Sequence, residues 1–113
     1  MTPKELNKLY EKNKTEYLDA IRNDNDSYTC QGCGNDFMFI EIHHILKRRF
    51  KYYFADKRNF IHLCNVCHRR AESTINEQKS LNCYDEMEAT KEVLMNEYNS
   101  LKPYEKSLLI KYG

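Results

Sequence analysis

Two short stretches decide the fold: Cys30-Gln31-Gly32-Cys33 and Cys64-Asn65-Val66-Cys67. Two residues between paired thiols let one turn present both sulfurs to the same ion. Two such turns complete the tetrahedral set of four thiolates that suits Zn2+. Cys30, Cys33, Cys64 and Cys67 are therefore read as ligands of one structural zinc. Cys83 has no partner at this spacing and is read as a core or surface thiol. A redox Cys-x-x-Cys would need a βαβ setting, and neither pair has one. Cys64 to His68 also spells a haem-attachment pattern, but that chemistry needs export and would leave Cys30 and Cys33 unexplained.

The wider composition fits a metal-stapled domain. The chain has 113 residues, enough for one domain with one modest core. It is 41% apolar and 31% charged, ordinary for a soluble protein. No apolar run has the length of a membrane span, and Met1 to Glu5 lacks the apolar stretch of a signal peptide. The expected location is a reducing cytoplasm, without membrane contact. Five cysteines, an odd number, suit metal better than a disulfide framework there.

Outward from the knuckles, Thr2-Pro3-Lys4-Glu5 reads as a helix start with a capping box, and Leu6, Leu9, Tyr10, Tyr17 and Ile21 recur at helical spacing. A helix over 3–22 is expected, with a packing role alone. Phe37 to Ile42 has the composition of a strand, and Asn59 to Leu63 of a second, short one. Asn65 to about Gln78 is expected to be helical, as are residues 84–101, where Tyr84, Met87, Leu94, Tyr98 and Leu101 form a stripe. Beyond Pro103, Leu108, Leu109 and Tyr112 suggest a last short helix.

The near-neutral net charge of +1 hides a strong asymmetry. Residues 42–70 hold eight Lys/Arg against the single acid Asp56, and all four histidines; the segments on either side each hold five Lys/Arg against eight acids. Concentrated positive charge favours a polyanion, although a solvated charged loop has the same composition. Lys47, Arg48, Arg49, Lys51 and Arg58 are the candidate phosphate contacts. Aromatic residues interleaved with them, Phe50 to Phe54, suit base stacking or a small core; core is favoured for Phe50 and Phe54.

The order Cys-x2-Cys, His43-His44-Ile45, a lone Asn59, then Leu-Cys-x2-Cys-His68 resembles the HNH endonuclease family in its four-cysteine zinc form. The run from His43 to Arg49 and on through Asp56 to Asn59 especially resembles small phage-encoded members. The likeness covers residues 30 to about 72; the flanking helices match nothing.

That resemblance implies an α+β fold, a zinc-stapled ββα-metal core (the HNH or His-Me finger) at about 28–78, with helical extensions over 3–22 and 84–112. It implies a metal-dependent endonuclease that hydrolyses DNA phosphodiesters. His43 and His68 fall on ligands of a catalytic divalent ion, Mg2+, Mn2+ or another. His44 falls on the general base, and Asn59 on the residue that supports the loop and orients that base. Arg48 lies near an arginine found in similar phage members and is the first choice to stabilise the transition state. Glu72, at i+4 from His68, stands where some members have a second His; it is either a third ligand or a surface glutamate. Glu41, two residues before His43, is either an outer partner of a ligand or a solvated edge charge. The residue chemistry agrees: a neutral imidazole suits a base at physiological pH. Cys67 and His68 are consecutive, so about 100° of helix separates a zinc ligand from a second metal site. The expected partner is double-stranded DNA, with other phage or mobile-element proteins as further company. The alternatives are a non-catalytic zinc-knuckle module that only binds nucleic acid, and an assembly scaffold; neither requires the His43, His44, Asn59 and His68 set.

Overall fold

The computed structural model of the chain describes residues 2–106. Helix α1 spans Pro3–Ile21 and starts as its sequence dictates: Thr2 Oγ1 accepts from the Glu5 amide at 3.1 Å, and Glu5 Oε1 accepts from the Thr2 amide at 3.2 Å. It buries Leu6 against Phe54 and Ala55, with Leu9 and Tyr10 beside them.

Where one strand was expected over Phe37 to Ile42, there are two. Strand β2 (Asp36–Phe37) pairs with β1 (Tyr28–Thr29), and β3 (Glu41–His44) pairs with β4 (Phe60–Leu63), both antiparallel. The chain changes partners at residues 38–40, so the apolar run continues where the ladder does not. The register of β3 on β4 sets Glu41 opposite Leu63, Ile42 opposite His62, His43 opposite Ile61 and His44 opposite Phe60. Side chains alternate along a strand, so His43 and His44 leave the hairpin on opposite faces. The connection between β3 and β4 contains two short 3-10 turns, Lys51–Tyr53 and Lys57–Asn59.

Helix α2 (Asn65–Ala71) follows β4 immediately, with Cys64 as its N-cap. The single helix expected to Gln78 is broken. Glu72 leaves helical geometry, and Thr74 caps a separate α3 (Ile75–Lys79) by accepting from the Glu77 amide. Ser and Thr compete with helix continuation in this way. Helix α4 (Tyr84–Ser100) then crosses both ends of the core. Met87 joins the cysteines with Ile61, Leu63 and Leu81, and Leu94 packs with Leu46 and Tyr53. The short helix expected around Leu108, Leu109 and Tyr112 lies outside the described residues. The fold is thus α+β, a ββα unit of β3, β4 and α2 with helices on its flanks. Among the described residues no helix is long and apolar enough to cross a membrane.

The two knuckles meet at Gly32. A Cβ there would stand 2.9 Å from both Cβ and Sγ of Cys67, and 3.0 Å from Leu81. Gly34, at φ +78°, turns the chain back in the left-handed region. Gly32→Ala is expected to cost about 1–3 kcal/mol, the range for forcing extra carbon into a packed core. Chemical denaturation reads this directly; an alanine variant as stable as the parent would contradict the close approach of the knuckles.

Candidate active site

Cys30, Cys33, Cys64 and Cys67 converge, with their sulfurs all within 4.8 Å of one another. Backbone amides aim at them: Gly32 and Cys64 donate to Cys30 Sγ at 3.3 and 3.2 Å, and Cys67 to Cys64 Sγ at 3.5 Å. Burial raises the Cys30 thiol, but the amides of Cys64, Cys33 and Gly32 outweigh it and hold the group down at about 7. Burial raises the Cys67 thiol strongly, with the neighbouring sulfurs adding to it. Four sulfurs this close ionise together only around a cation, and a four-thiolate donor set fits Zn2+.

Beside this cluster a second one forms. His43, His68 and Glu72 each offer a ligand atom, all within 4.8 Å of one another. His43 comes from β3, while His68 and Glu72 come from one face of α2 and its C-cap. His68 Nδ1 lies 2.7 Å from Glu41 Oε1, so Glu41 faces the second cluster rather than open solvent alone. The hydrogen bond from His68 lowers the Glu41 carboxyl, and that from Asn65 lowers it further, so the carboxylate accepts and Nδ1 donates. With its proton on Nδ1, His68 turns the Nε2 lone pair toward Glu72 Oε1 at 3.2 Å. His43 Nδ1 lies 3.7 Å from the same oxygen, and burial holds its imidazole down at about 4, hence neutral. Lone pairs converging on one point, with an outer carboxylate fixing a histidine tautomer, fit a divalent cation.

His44 points to the other face of the hairpin, into an aromatic surround. The Phe54 ring stacks on it at 5.1 Å, the Tyr10 ring from α1 lies at 5.3 Å, and Phe60 meets it edge-on at 5.5 Å. Its Nε2 lies 2.9 Å from the Phe54 carbonyl. A carbonyl only accepts, so Nε2 carries the hydrogen and Nδ1 keeps its lone pair. Burial lowers the group below the usual histidine range by more than the Phe54 carbonyl raises it. The imidazole is therefore a neutral base in a fixed tautomer. His43, His44 and His68 all line one cleft of about 620 Å³, whose far wall is α4.

Asn59 is fully buried and ties the β3–β4 connection together. Its Oδ1 accepts from the Leu46 amide at 2.6 Å; its Nδ2 donates to the Leu46 and Tyr53 carbonyls at 3.1 and 3.2 Å. Its own carbonyl accepts from Ile45, the residue after His44, at 2.9 Å. One residue, through its side chain and its carbonyl, thereby fixes both the exit from β3 and the turn that delivers Phe54 to His44.

The basic residues divide. Lys47 and Arg48 line the cleft. Arg49 and Lys51 lie outside that lining, over the rings of Phe50 and Phe54. Arg58 is spent on Asp56 and Glu97, with contacts of 2.7 and 3.0 Å, and so anchors the loop to α4 instead of facing the cleft. Phe54 is buried, and Phe50 is half-buried against Tyr98, as expected for core residues. His62 stands apart from both clusters, 2.7 Å from the Tyr17 hydroxyl. Tyr10 was missed as a neighbour of the site; its place in an apolar helical stripe gave no sign of which imidazole that stripe covers.

Residues 30–74, about two-fifths of the chain, match the family model of the HNH endonuclease. That match supports a nuclease-type fold for the segment, which carries a four-cysteine site able to hold a metal such as zinc. No curated protein and no solved structure matches the chain.

Two expectations follow. The purified chain should contain one tightly held zinc, and Cys67→Ser should unfold or strongly destabilise it, since structural zinc binding contributes directly to folding; a stable, metal-free preparation by elemental analysis would refute this. Asn59→Ala should cost about 2–4 kcal/mol, because it strands the Leu46 amide and two buried carbonyls at roughly 1–3 kcal/mol each before relaxation. Thermal or urea unfolding measures it, and a neutral effect would show the loop to be held elsewhere.

Proposed function

We propose that this chain is a metal-dependent endonuclease that hydrolyses DNA phosphodiesters. The observation that carries the proposal is a neutral His44, fixed as the Nε2–H tautomer, on the same cleft as the converging His43, His68 and Glu72. A module that only binds nucleic acid has no use for that pairing of a base with a ligand set. His43, His68 and Glu72 would hold one divalent ion, Mg2+, Mn2+ or another. When bound, such an ion neutralises charge at the phosphate and on the leaving oxygen.

The chain's own groups account for the rest. His44 Nδ1 accepts the proton of the attacking water, and the Phe54 carbonyl steadies the resulting imidazolium through Nε2–H. Lys47 and Arg48, which line the cleft, would hold phosphate oxygens there, and the forked guanidinium of Arg48 suits the charge that develops on the phosphoryl oxygens. Asn59 acts by positioning: it keeps the Phe54 carbonyl where His44 needs it.

Nicking of supercoiled plasmid, with and without Mg2+ or Mn2+, tests this. His44→Ala should lower the rate by about 10²–10⁴-fold, as loss of a general base does, while zinc content and DNA binding stay close to the parent. His68→Ala should lose activity by weakening metal retention, and should regain part of it at higher metal concentration; His44→Ala should regain none. Near-parental nicking by His44→Ala would overturn the assigned mechanism. A parent chain inactive with every divalent ion would instead favour the non-catalytic module.

A further inference from the structure

The most exposed large apolar side chains are not those of the basic loop. Phe39 is 88% exposed and Met38 75%, at the turn where the chain passes from β2 to β3. With Phe37 and Val66 they border a groove of about 460 Å³ beside the start of α2, and Asn65 and Arg70 stand on the same groove. Single apolar residues in water need no explanation, but several on one groove mark a place for a partner.

Three observations indicate what that partner is. Arg70 is exposed and pairs with no carboxylate among the described residues, so the apolar groove carries an unspent cation suited to a phosphate. The groove and the cleft flank α2, which presents Cys67 to the sulfur cluster, His68 to the cleft and Arg70 to the groove. Phe39 also precedes His43 by four residues, at most about 14 Å of chain, a span of a few nucleotides. Meanwhile Tyr53 and Phe54 of the basic loop are buried, which removes them as stacking surfaces.

Resting on the nuclease reading above, we propose that Phe39, supported by Met38 and Val66, stacks on an unpaired nucleobase of the strand that enters the cleft, with Arg70 on an adjoining phosphate. A base within an intact duplex offers no free face to such a platform. The substrate this selects is a duplex bearing an unpaired segment beside the point of cleavage, such as an overhang or flap.

The test uses the zinc-loaded full chain with no further divalent ion, so that binding is read without cleavage. Two labelled duplexes of equal length are compared by fluorescence anisotropy, one blunt and one with a single-stranded overhang. Phe39→Ala should weaken overhang binding roughly five- to hundredfold, the range for losing one stacked base. It should leave the blunt duplex unchanged, and Phe39→Trp should restore the preference. With 2-aminopurine in the overhang, the parent should quench its fluorescence and Phe39→Ala should not. Three results would overturn the platform: unaltered overhang affinity in Phe39→Ala, an equal loss on both duplexes, or a change in sedimentation from dimer to monomer, which would make this face a self-interface. An inactive parent that still prefers the overhang would sink the nuclease reading alone. An active parent indifferent to Phe39 would sink only the platform.

Discussion

A seven-residue helix does not hold itself together in water, yet α2 has that length and, with its C-cap, carries His68 and Glu72, the two residues that converge with His43. What fixes it is the engagement of Cys64 and Cys67 with the sulfurs of the first knuckle. Cys64 also accepts from the Cys67 amide, so the same thiol caps the helix and joins the cluster. The next residue, His68, is rotated by about 100° and so faces away from the sulfurs. The direction in which His68 presents Nε2 is thus inherited from the sulfur cluster. Gly32 is part of the same constraint, since only a missing side chain lets the first knuckle close on Cys67.

The opposite face of the hairpin answers to a different constraint. Among the described residues no carboxylate hydrogen-bonds to His44; its tautomer comes from one backbone carbonyl and its neutrality from burial among aromatic rings. That carbonyl belongs to the connection between β3 and β4, which Asn59 holds in shape from within. Tyr10 completes the surround from α1, and α4 secures the far side of the connection, where the Tyr53 hydroxyl meets the Leu94 carbonyl at 3.0 Å. Both helices lie outside the segment that matches the HNH model, and both help to set the environment of its central histidine.

The knuckles were legible in the sequence because metal ligation fixes residue type and spacing together. The first helix was legible because Thr2, Pro3 and Glu5 encode its start locally. The break at residues 38–40 was not, because it arises from which strand each half pairs with, and partner choice leaves no mark on an apolar run. The end of α2 was half-legible: Ser73 and Thr74 compete for helix amides, but the stripe of polar residues around them continues at helical spacing. In the site, His43 and His68 were named as ligands through the resemblance to the HNH family. Glu72 was left between two readings, since i+4 spacing puts it on the face of His68 whether or not a second strand lies opposite. The geometry places His43 there, and likewise gives Glu41 a partner in His68.

The charge pattern shows how far composition can be pushed. Eight of the nine charged residues in 42–70 are basic, and read alone they suggest a uniform surface for a polyanion. The fold divides them. Lys57 reaches Glu16 of α1 at 2.7 Å, and Arg58 reaches Glu97 of α4 at 3.0 Å. The acidic flanking segments therefore draw on part of the central positive charge to seat their helices. Such exposed pairs contribute little to stability singly, at most about 1 kcal/mol, but they decide where positive charge remains. It remains with Lys47 and Arg48 on the cleft, with Arg49 and Lys51 over the rings of Phe50 and Phe54, and with Arg69 and Arg70 near the end of α2. A near-neutral chain thus keeps an excess of cations in its central segment, because the acids on α1 and α4 engage Lys57 and Arg58.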